Sequence, residues 1–179
     1  MTIHNRHRKG LTLPELLIGL AVASTLAVGT TEYLPRFIQR NRMAAEVNRF
    51  MGALHLARSE AILHGSRVVL CPSSNGTDCG TSAEWINGWL LFVSDDREHD
   101  SDEPLLQAGN PLEAGIRMTT SNHRKRIVFR QDGSSGGTNA SFTFCDSRGL
   151  AEPRVICLSN AGRPRLTPTR CSGQPVVCP

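Results

Sequence analysis

Two arginines near the C-terminal end have the type and spacing of a phosphate-binding site. Arg163 and Arg165 flank Pro164 and follow Gly162. In an extended segment, residues two apart point to the same face, roughly 6.6 Å from each other, which suits neighbouring phosphates of one nucleic-acid strand. Each planar guanidinium can hold two phosphate oxygens. Gly162 lets the chain turn into this segment and Pro164 stiffens it, so less freedom is lost on binding.

Further basic residues could extend this site, and they lie in the same third of the chain: Arg124, Lys125, Arg126 and Arg170. We predict that the set binds double-stranded DNA through its phosphates, without base specificity and with strong salt dependence. Two alternatives stay open, because the arginines could form a solvated face or pair with acidic residues of their own chain. Stacking of single-stranded bases has little support, since the three aromatic residues of this third occupy predicted strand positions: Phe129, Phe142 and Phe144.

The charge of the chain is unevenly distributed. The net charge is +4, yet residues 78–113 carry nine acidic side chains and one basic, whereas residues 117–179 carry ten basic and three acidic. Such asymmetry indicates a charged partner. The acidic stretch 95–103 could suggest calcium, but it lacks the glycine and the final glutamate of an EF-hand loop. We predict a solvated or partner-facing loop there.

Catalytic motifs are missing from the sequence. His55 and His64 are nine residues apart, without the four-residue step of a helical zinc pair. Residues 133–136 do not form a nucleophile elbow, and no phosphate-binding Gly-x-x-x-x-Gly-Lys motif occurs. We therefore predict no enzymatic activity, no cofactor and no metal.

Six cysteines indicate disulfide bonds in an exported domain: Cys71, Cys79, Cys145, Cys157, Cys171 and Cys178. They lack the C-x-x-C pairs of zinc ribbons and thioredoxin-like sites, and an even number in an exported chain is typical of disulfides. The short separations favour local pairing of Cys71 with Cys79, Cys145 with Cys157, and Cys171 with Cys178. Spacing alone leaves all fifteen pairings formally possible.

An apolar run from Leu11 to about Thr31 contains Glu15 as its only charge. Such a run is long enough to cross a bilayer, and a carboxylate inside it is by default functional. Two other interpretations are a secretory signal that is cleaved after Ala23 and a plain transmembrane anchor. Flanking charges do not settle the orientation, so the cysteines are what indicates a body outside the cytoplasm.

A long helix must continue beyond this run. Apolar residues recur at steps of four and three in one seam: Met43, Val47, Phe50, Leu54, Ala57 and Ala61. Pro35 should bend the helix, and Gly65 should end it. Beyond it, strands are predicted at 67–71, 85–93, 116–119, 126–130, 141–145, 155–158 and 163–167. One helix followed by many strands predicts an α+β fold, with the helix packed on one antiparallel sheet or on two small ones.

Several motifs together resemble the FimT/GspH family of minor pilins and pseudopilins. A basic leader ends at Gly10, and an acid follows five residues later, as in a type IV prepilin signal. Further motifs are Ala-Arg-Ser-Glu-Ala at 57–61, the segments 68–72 and 88–89, and Gly-Arg-Pro-Arg at 162–165. Pro14 departs from the usual aliphatic residue, but it falls in the first helical turn, where a missing N–H is harmless.

The resemblance implies a type IV pilin-like fold and a processing pathway. A prepilin peptidase would cut after Gly10 and leave Leu11 as an N-methylated terminus. Glu15 would then meet the Leu11 amine of a neighbouring pilin in the filament. The implied segments are a leader at 1–10, a transmembrane and filament-core helix at 11–31, its amphipathic continuation at 32–65, and a β-rich domain at 66–179. The precursor would be held in the inner membrane with its domain in the periplasm, and would reach the cell surface in the pilus.

The resemblance implies two alternative functions. FimT-like minor pilins are implicated in capturing extracellular DNA for natural transformation, with the Gly-Arg-x-Arg segment as the contact. GspH-like pseudopilins lie near the tip of a type II secretion filament and contact protein partners, without DNA. The basic last third of the chain favours the first function.

Overall fold

Two helices account for the predicted helical region. The computed structural model describes Gly10 and residues 12–30, 33–94 and 104–178, so Leu11 and the acidic stretch 95–103 lie outside the described residues. Helix α1 spans Leu13–Thr30 and helix α2 spans Tyr33–His64. Pro35, where a bend was predicted, is the third residue of α2, and residues 31 and 32 between the helices are also outside the description. Within the described ranges, no helix has both the length and the apolar character needed to cross a membrane.

Eight strands follow among the described residues: β1 Val68–Pro72, β2 Trp89–Val93, β3 Leu105–Gly109, β4 Ile116–Thr120, β5 Ile127–Phe129, β6 Ala140–Asp146, β7 Arg154–Leu158 and β8 Pro164–Thr167. They form two antiparallel sheets of four strands. The first sheet has the order β3-β2-β1-β5 and the second has the order β4-β6-β7-β8. The α+β prediction is confirmed, and of its two alternatives the structure has two small sheets.

The core lies between α2 and both sheets. All six residues of the predicted seam are buried. Phe50 stands at the centre and meets four aromatic rings edge-on at centroid distances of 4.7 to 6.3 Å: Trp85, Trp89, Phe142 and Phe144. Edge-to-face contacts suit the quadrupoles of the rings. The chain divides into two compact units, one ending at Ile38 and one comprising Gln39–Pro179. Because this core lies within the second unit, we expect that unit to fold on its own.

The predicted strand at 85–93 is correct only in its second half. Trp85–Asn87 forms a short 3-10 turn, and β2 begins after Gly88. A Cβ on Gly88 would lie 2.6 Å from the Gly109 carbonyl oxygen, so the two backbones approach closely at this position. Strand β3 was not predicted, because its residues lack β-branched alternation and it forms by pairing with β2.

One of the three predicted disulfides is confirmed and two are wrong. Cys71 bonds Cys79, but Cys145 bonds Cys178 and Cys157 bonds Cys171. The strand register explains the difference. Cys157 on β7 pairs with Ser141 on β6, so Cys145 lies four residues further along β6, about 13 Å away. A disulfide needs Cα atoms within about 7 Å. The tail therefore bonds to the second sheet at two points instead of closing on itself.

Tryptic digestion of the unreduced protein should distinguish these pairings. Trypsin leaves Cys171 and Cys178 together in peptide 171–179, because no lysine or arginine lies between them. We expect this peptide to remain linked to the peptides that carry the other two cysteines, 131–148 and 155–165. Local pairing would instead release peptide 171–179 alone with an internal bond. Mass spectrometry that finds this free peptide would contradict the structure.

Candidate nucleic-acid interface

A groove on the second sheet contains the arginine pair. It has a volume of about 570 Å³ and runs between the turn that follows β4 and the start of β8. We call it the arginine groove; its lining comprises Ser121, Asn122, Asn139, Ala140, Ser141, Cys157, Leu158, Ser159, Arg163, Pro164, Arg165 and Cys171. The lining combines polar side chains with apolar surface, and it includes both cysteines of the Cys157–Cys171 disulfide.

The sheet register places the two arginines on one side of this groove. Arg165 pairs with Cys157, and Cys157 pairs with Ser141, so these residues form a row across three strands. Arg163 lies two residues before Arg165, immediately ahead of β8, and lines the same groove. Both arginines are exposed and both line the groove. The edge strand β8 and the residue before it thus present two guanidinium groups to one groove.

The opposite wall is a short turn with unusual backbone geometry. The Ser121 hydroxyl accepts a hydrogen bond from the backbone N–H of Ser141 at 2.9 Å, which fixes the turn to β6. Asn122 and His123 have φ angles of 56° and 46°. Non-glycine residues rarely adopt this left-handed region, and such strain tends to occur where a loop serves a function. Asn122 lines the groove opposite the arginines.

The three basic residues 124–126 follow this turn, and only the first of them contacts a residue of the groove. The Arg124 carbonyl accepts the Trp85 indole N–H at 2.8 Å, and the Arg124 guanidinium donates to the carbonyl of Asn139, a groove residue, at 3.4 Å. Arg124 and Arg126 are half-buried, and their Nε atoms are buried without a hydrogen-bond partner. Lys125 is exposed. Arg124 thus reaches the groove edge, whereas Lys125 and Arg126 are not among the lining residues.

Arg170 lines a neighbouring groove of about 360 Å³. The two grooves share Ser121, Ser141 and Cys171, so they form one continuous surface. Arg170 is exposed in a tight turn, where the Gly173 N–H donates to its carbonyl at 2.8 Å. The structure therefore gathers Arg163, Arg165, Arg124 and Arg170 around adjoining grooves.

Sequence reasoning missed the residues that support the arginine pair. The turn at 159–162 contacts the loop before β6, where the Ser135 hydroxyl donates to the Ser159 carbonyl at 2.8 Å. Arg58 of α2 donates to the Ala161 carbonyl at 2.7 Å. Arg58 belongs to a motif that the sequence singled out, but its contact joins residues 103 apart in the chain. No local pattern could have found that contact.

Ion pairs among the described residues do not involve the groove arginines. Over the described ranges, the ion pairs are Arg49 with Glu46 and His64 with Glu60, and neither involves a groove arginine. In the nearby loop, hydrogen bonds from the Ser134 hydroxyl and backbone N–H lower the pKa of Asp132. In the part of the chain that the structure describes, no cluster of His, Cys, Asp and Glu could hold a metal ion.

Comparison with known proteins identifies the family. A family model described as type II transport protein GspH matches residues 46–162. The type IV minor pilin FimU of Pseudomonas aeruginosa has a similar structure, with a TM-score of 0.59 and 19% identity over 73% of this chain and 92% of that one. The minor pseudopilin EpsH of the Vibrio cholerae type 2 secretion system gives 0.51 and 13% over 70% and 96%. At these identities the solved structures support the fold alone. No curated protein matches the chain.

The family match covers most of the core but ends at Gly162, immediately before Arg163, so it does not depend on the arginine pair. Proteins of this family are structural filament subunits rather than enzymes, and they associate with other pilins. The resemblance inferred from the sequence motifs is confirmed, as is the pilin-like fold. The chain belongs to the GspH family of minor pilins and pseudopilins, and its fold is similar to those of FimU and EpsH.

Proposed function

We propose that the 39–179 unit binds double-stranded DNA nonspecifically through the arginine groove. The observation that carries the proposal is the pair Arg163 and Arg165, two exposed arginines on one groove wall without an ion pair among the described residues. In this proposal the chain serves in a type IV pilus that captures extracellular DNA for natural transformation. DNA phosphates are the partner that two exposed, neighbouring guanidinium groups suit best.

The groove chemistry favours contacts to the DNA backbone over base recognition. Its lining offers hydroxyl, amide and guanidinium groups and no aromatic ring on which a base could stack. Arg124 and Arg170 at the margins add charge along the same surface. Phosphate contacts of this kind give affinity without sequence preference and release counterions on binding. Binding should therefore fall steeply as salt rises.

A direct test is whether the wild-type 39–179 unit retards duplex DNA at 0.15 M salt. We expect a Kd of about 1 to 100 μM, equal for two unrelated sequences, with log K decreasing linearly as log salt rises. A subunit that acts only in filament assembly, the other role of the family, should leave the DNA unretarded. Absence of retardation at this salt would contradict the proposal and leave the assembly role.

We also propose that the N-terminal region is processed and anchored as in a prepilin. Support comes from α1, where Glu15 lies in the first turn. Several large apolar side chains of this helix are exposed, as expected of a surface that packs against lipid or protein: Leu13, Leu16, Leu17, Ile18, Leu20 and Val22. In this proposal a prepilin peptidase cuts after Gly10, and residues 11–31 hold the precursor in the inner membrane. Packing beside other pilins would cover the apolar residues in the filament, with Glu15 near the amine of a neighbouring subunit's first residue.

A further inference from the structure

The short turn between β7 and β8 determines where the arginine pair points. The Gly162 N–H donates to the Ser159 carbonyl at 2.9 Å, and the Ser159 N–H donates to the Arg163 carbonyl at 3.3 Å. Arg163 and Arg165 follow this turn directly in the chain, so any rotation of the turn moves them. The orientation of the pair therefore depends on the groups that hold the turn.

Three consecutive carbonyl groups of the turn accept hydrogen bonds from other parts of the fold. Those of Ser159 and Asn160 accept from the hydroxyl and the backbone N–H of Ser135, at 2.8 and 2.9 Å. That of Ala161 accepts from Nη1 of Arg58 at 2.7 Å. Ser135 belongs to the loop before β6, whereas Arg58 belongs to α2. The Arg58 contact thus ties the turn to the helix.

The Arg58 side chain passes over Gly133 on its way to the turn. Its Cγ would lie 3.3 Å from a Cβ on Gly133, and the Gly133 carbonyl itself lies against Gly162. Ala57 and Ala61 on the same helix are fully buried, so the helix backbone is fixed against the core here. The guanidinium is a charged donor, which makes a stronger hydrogen bond to a carbonyl than a neutral one does.

We infer that Arg58 is a positioning residue for the arginine groove. It holds the β7–β8 turn, and thereby orients Arg163 and Arg165, without contacting DNA itself. This inference rests on the proposed function. A turn that is already held in place has less freedom to lose when DNA binds. Removing the Arg58 contact should therefore weaken binding even though Arg163 and Arg165 keep their charges.

A double-mutant cycle in the 39–179 unit separates positioning from direct contact. Arg58→Met keeps the aliphatic part of the side chain that passes over Gly133 and removes the guanidinium that donates to the Ala161 carbonyl. We expect it to weaken duplex binding about fivefold in the wild-type background and to have no further effect in R163Q/R165Q. The free-energy effects of two mutations add when the sites act independently and fail to add when one site acts through the other. A fivefold loss that persists in R163Q/R165Q means that Arg58 contacts DNA itself, and it overturns the inference.

Amide hydrogen exchange gives a readout that does not depend on DNA. In R58M we expect the Gly162 and Ser135 amides to exchange at least tenfold faster, because both belong to the bonded turn. R58K keeps a charged donor near the Ala161 carbonyl and should restore most of the protection. R42M, which removes an exposed arginine from the same helix, should change neither exchange nor affinity.

Unchanged exchange in R58M overturns the inference whatever happens to DNA binding. If R163Q/R165Q binds duplex as tightly as wild type, the proposed function fails instead. In that case the exchange rates alone decide whether Arg58 holds the turn, so the two failures remain distinguishable.

Discussion

Replacing Arg163 and Arg165 with glutamine is expected to weaken duplex binding by the 39–179 unit about 30-fold at 0.15 M salt. Glutamine keeps a polar hydrogen-bonding group and removes the charge. Each lost phosphate contact lowers the slope of log K against log salt by about 0.9, which corresponds to five- to sixfold in affinity at this salt. The measurement is a fluorescence anisotropy titration at four salt concentrations, from which both affinity and slope are obtained.

A matched control for this prediction is R40Q/R154Q. Arg40 and Arg154 are also exposed, and they line a different groove beside the start of α2. This variant removes the same two charges from the same unit, so it corrects for net charge. We expect a loss of threefold or less and a slope close to wild type. Equal losses in the two double variants would show that only total charge matters and that the arginine groove is not a site.

Local periodicity was sufficient to predict the helix and the strands that carry the core. The seam from Met43 to Ala61 repeats with the period of a helix, so its burial could be read from the sequence. The two-residue period of an extended segment likewise predicted a common face for Arg163 and Arg165, and both line one groove. These features depend on neighbours within a few residues, which is the range that sequence patterns describe.

Long-range pairing was not predictable in this way. The disulfides of Cys145 and Cys157 depend on the register of β6 against β7 and on the path of the tail across the sheet. Strand β3 depends on its partner, and Gly109 fits there because a Cβ would lie 2.0 Å from the Trp89 ring. The Arg58 contact with Ala161 likewise joins distant segments. The sequence therefore predicted that Arg163 and Arg165 lie together, but not the long-range contacts of the turn before them.

Gly162→Ala is expected to destabilise the 39–179 unit by about 3 kcal/mol and to weaken duplex binding at least tenfold. Two causes combine. The φ angle of Gly162 is +69°, which costs an L residue about 1 to 2 kcal/mol. A Cβ there would also lie 1.9 Å from the Gly133 carbonyl oxygen, and this backbone clash adds about 1 to 3 kcal/mol. The turn must then move away from Gly133, and Arg163 moves with it.

Gly149→Ala separates these two causes, because Gly149 has a φ of +67° and open space where its Cβ would be. The control carries the same backbone strain without the clash, so we expect a loss of about 1 kcal/mol and unchanged DNA binding. Denaturant unfolding and duplex titration of both variants supply the comparison. If the two alanines cost the same stability, the contact between Gly162 and Gly133 does not hold the turn. G162A could instead lose stability and still bind DNA as wild type does. The phosphate contacts would then form although the turn had moved, so the placement of Arg163 would not depend on the turn.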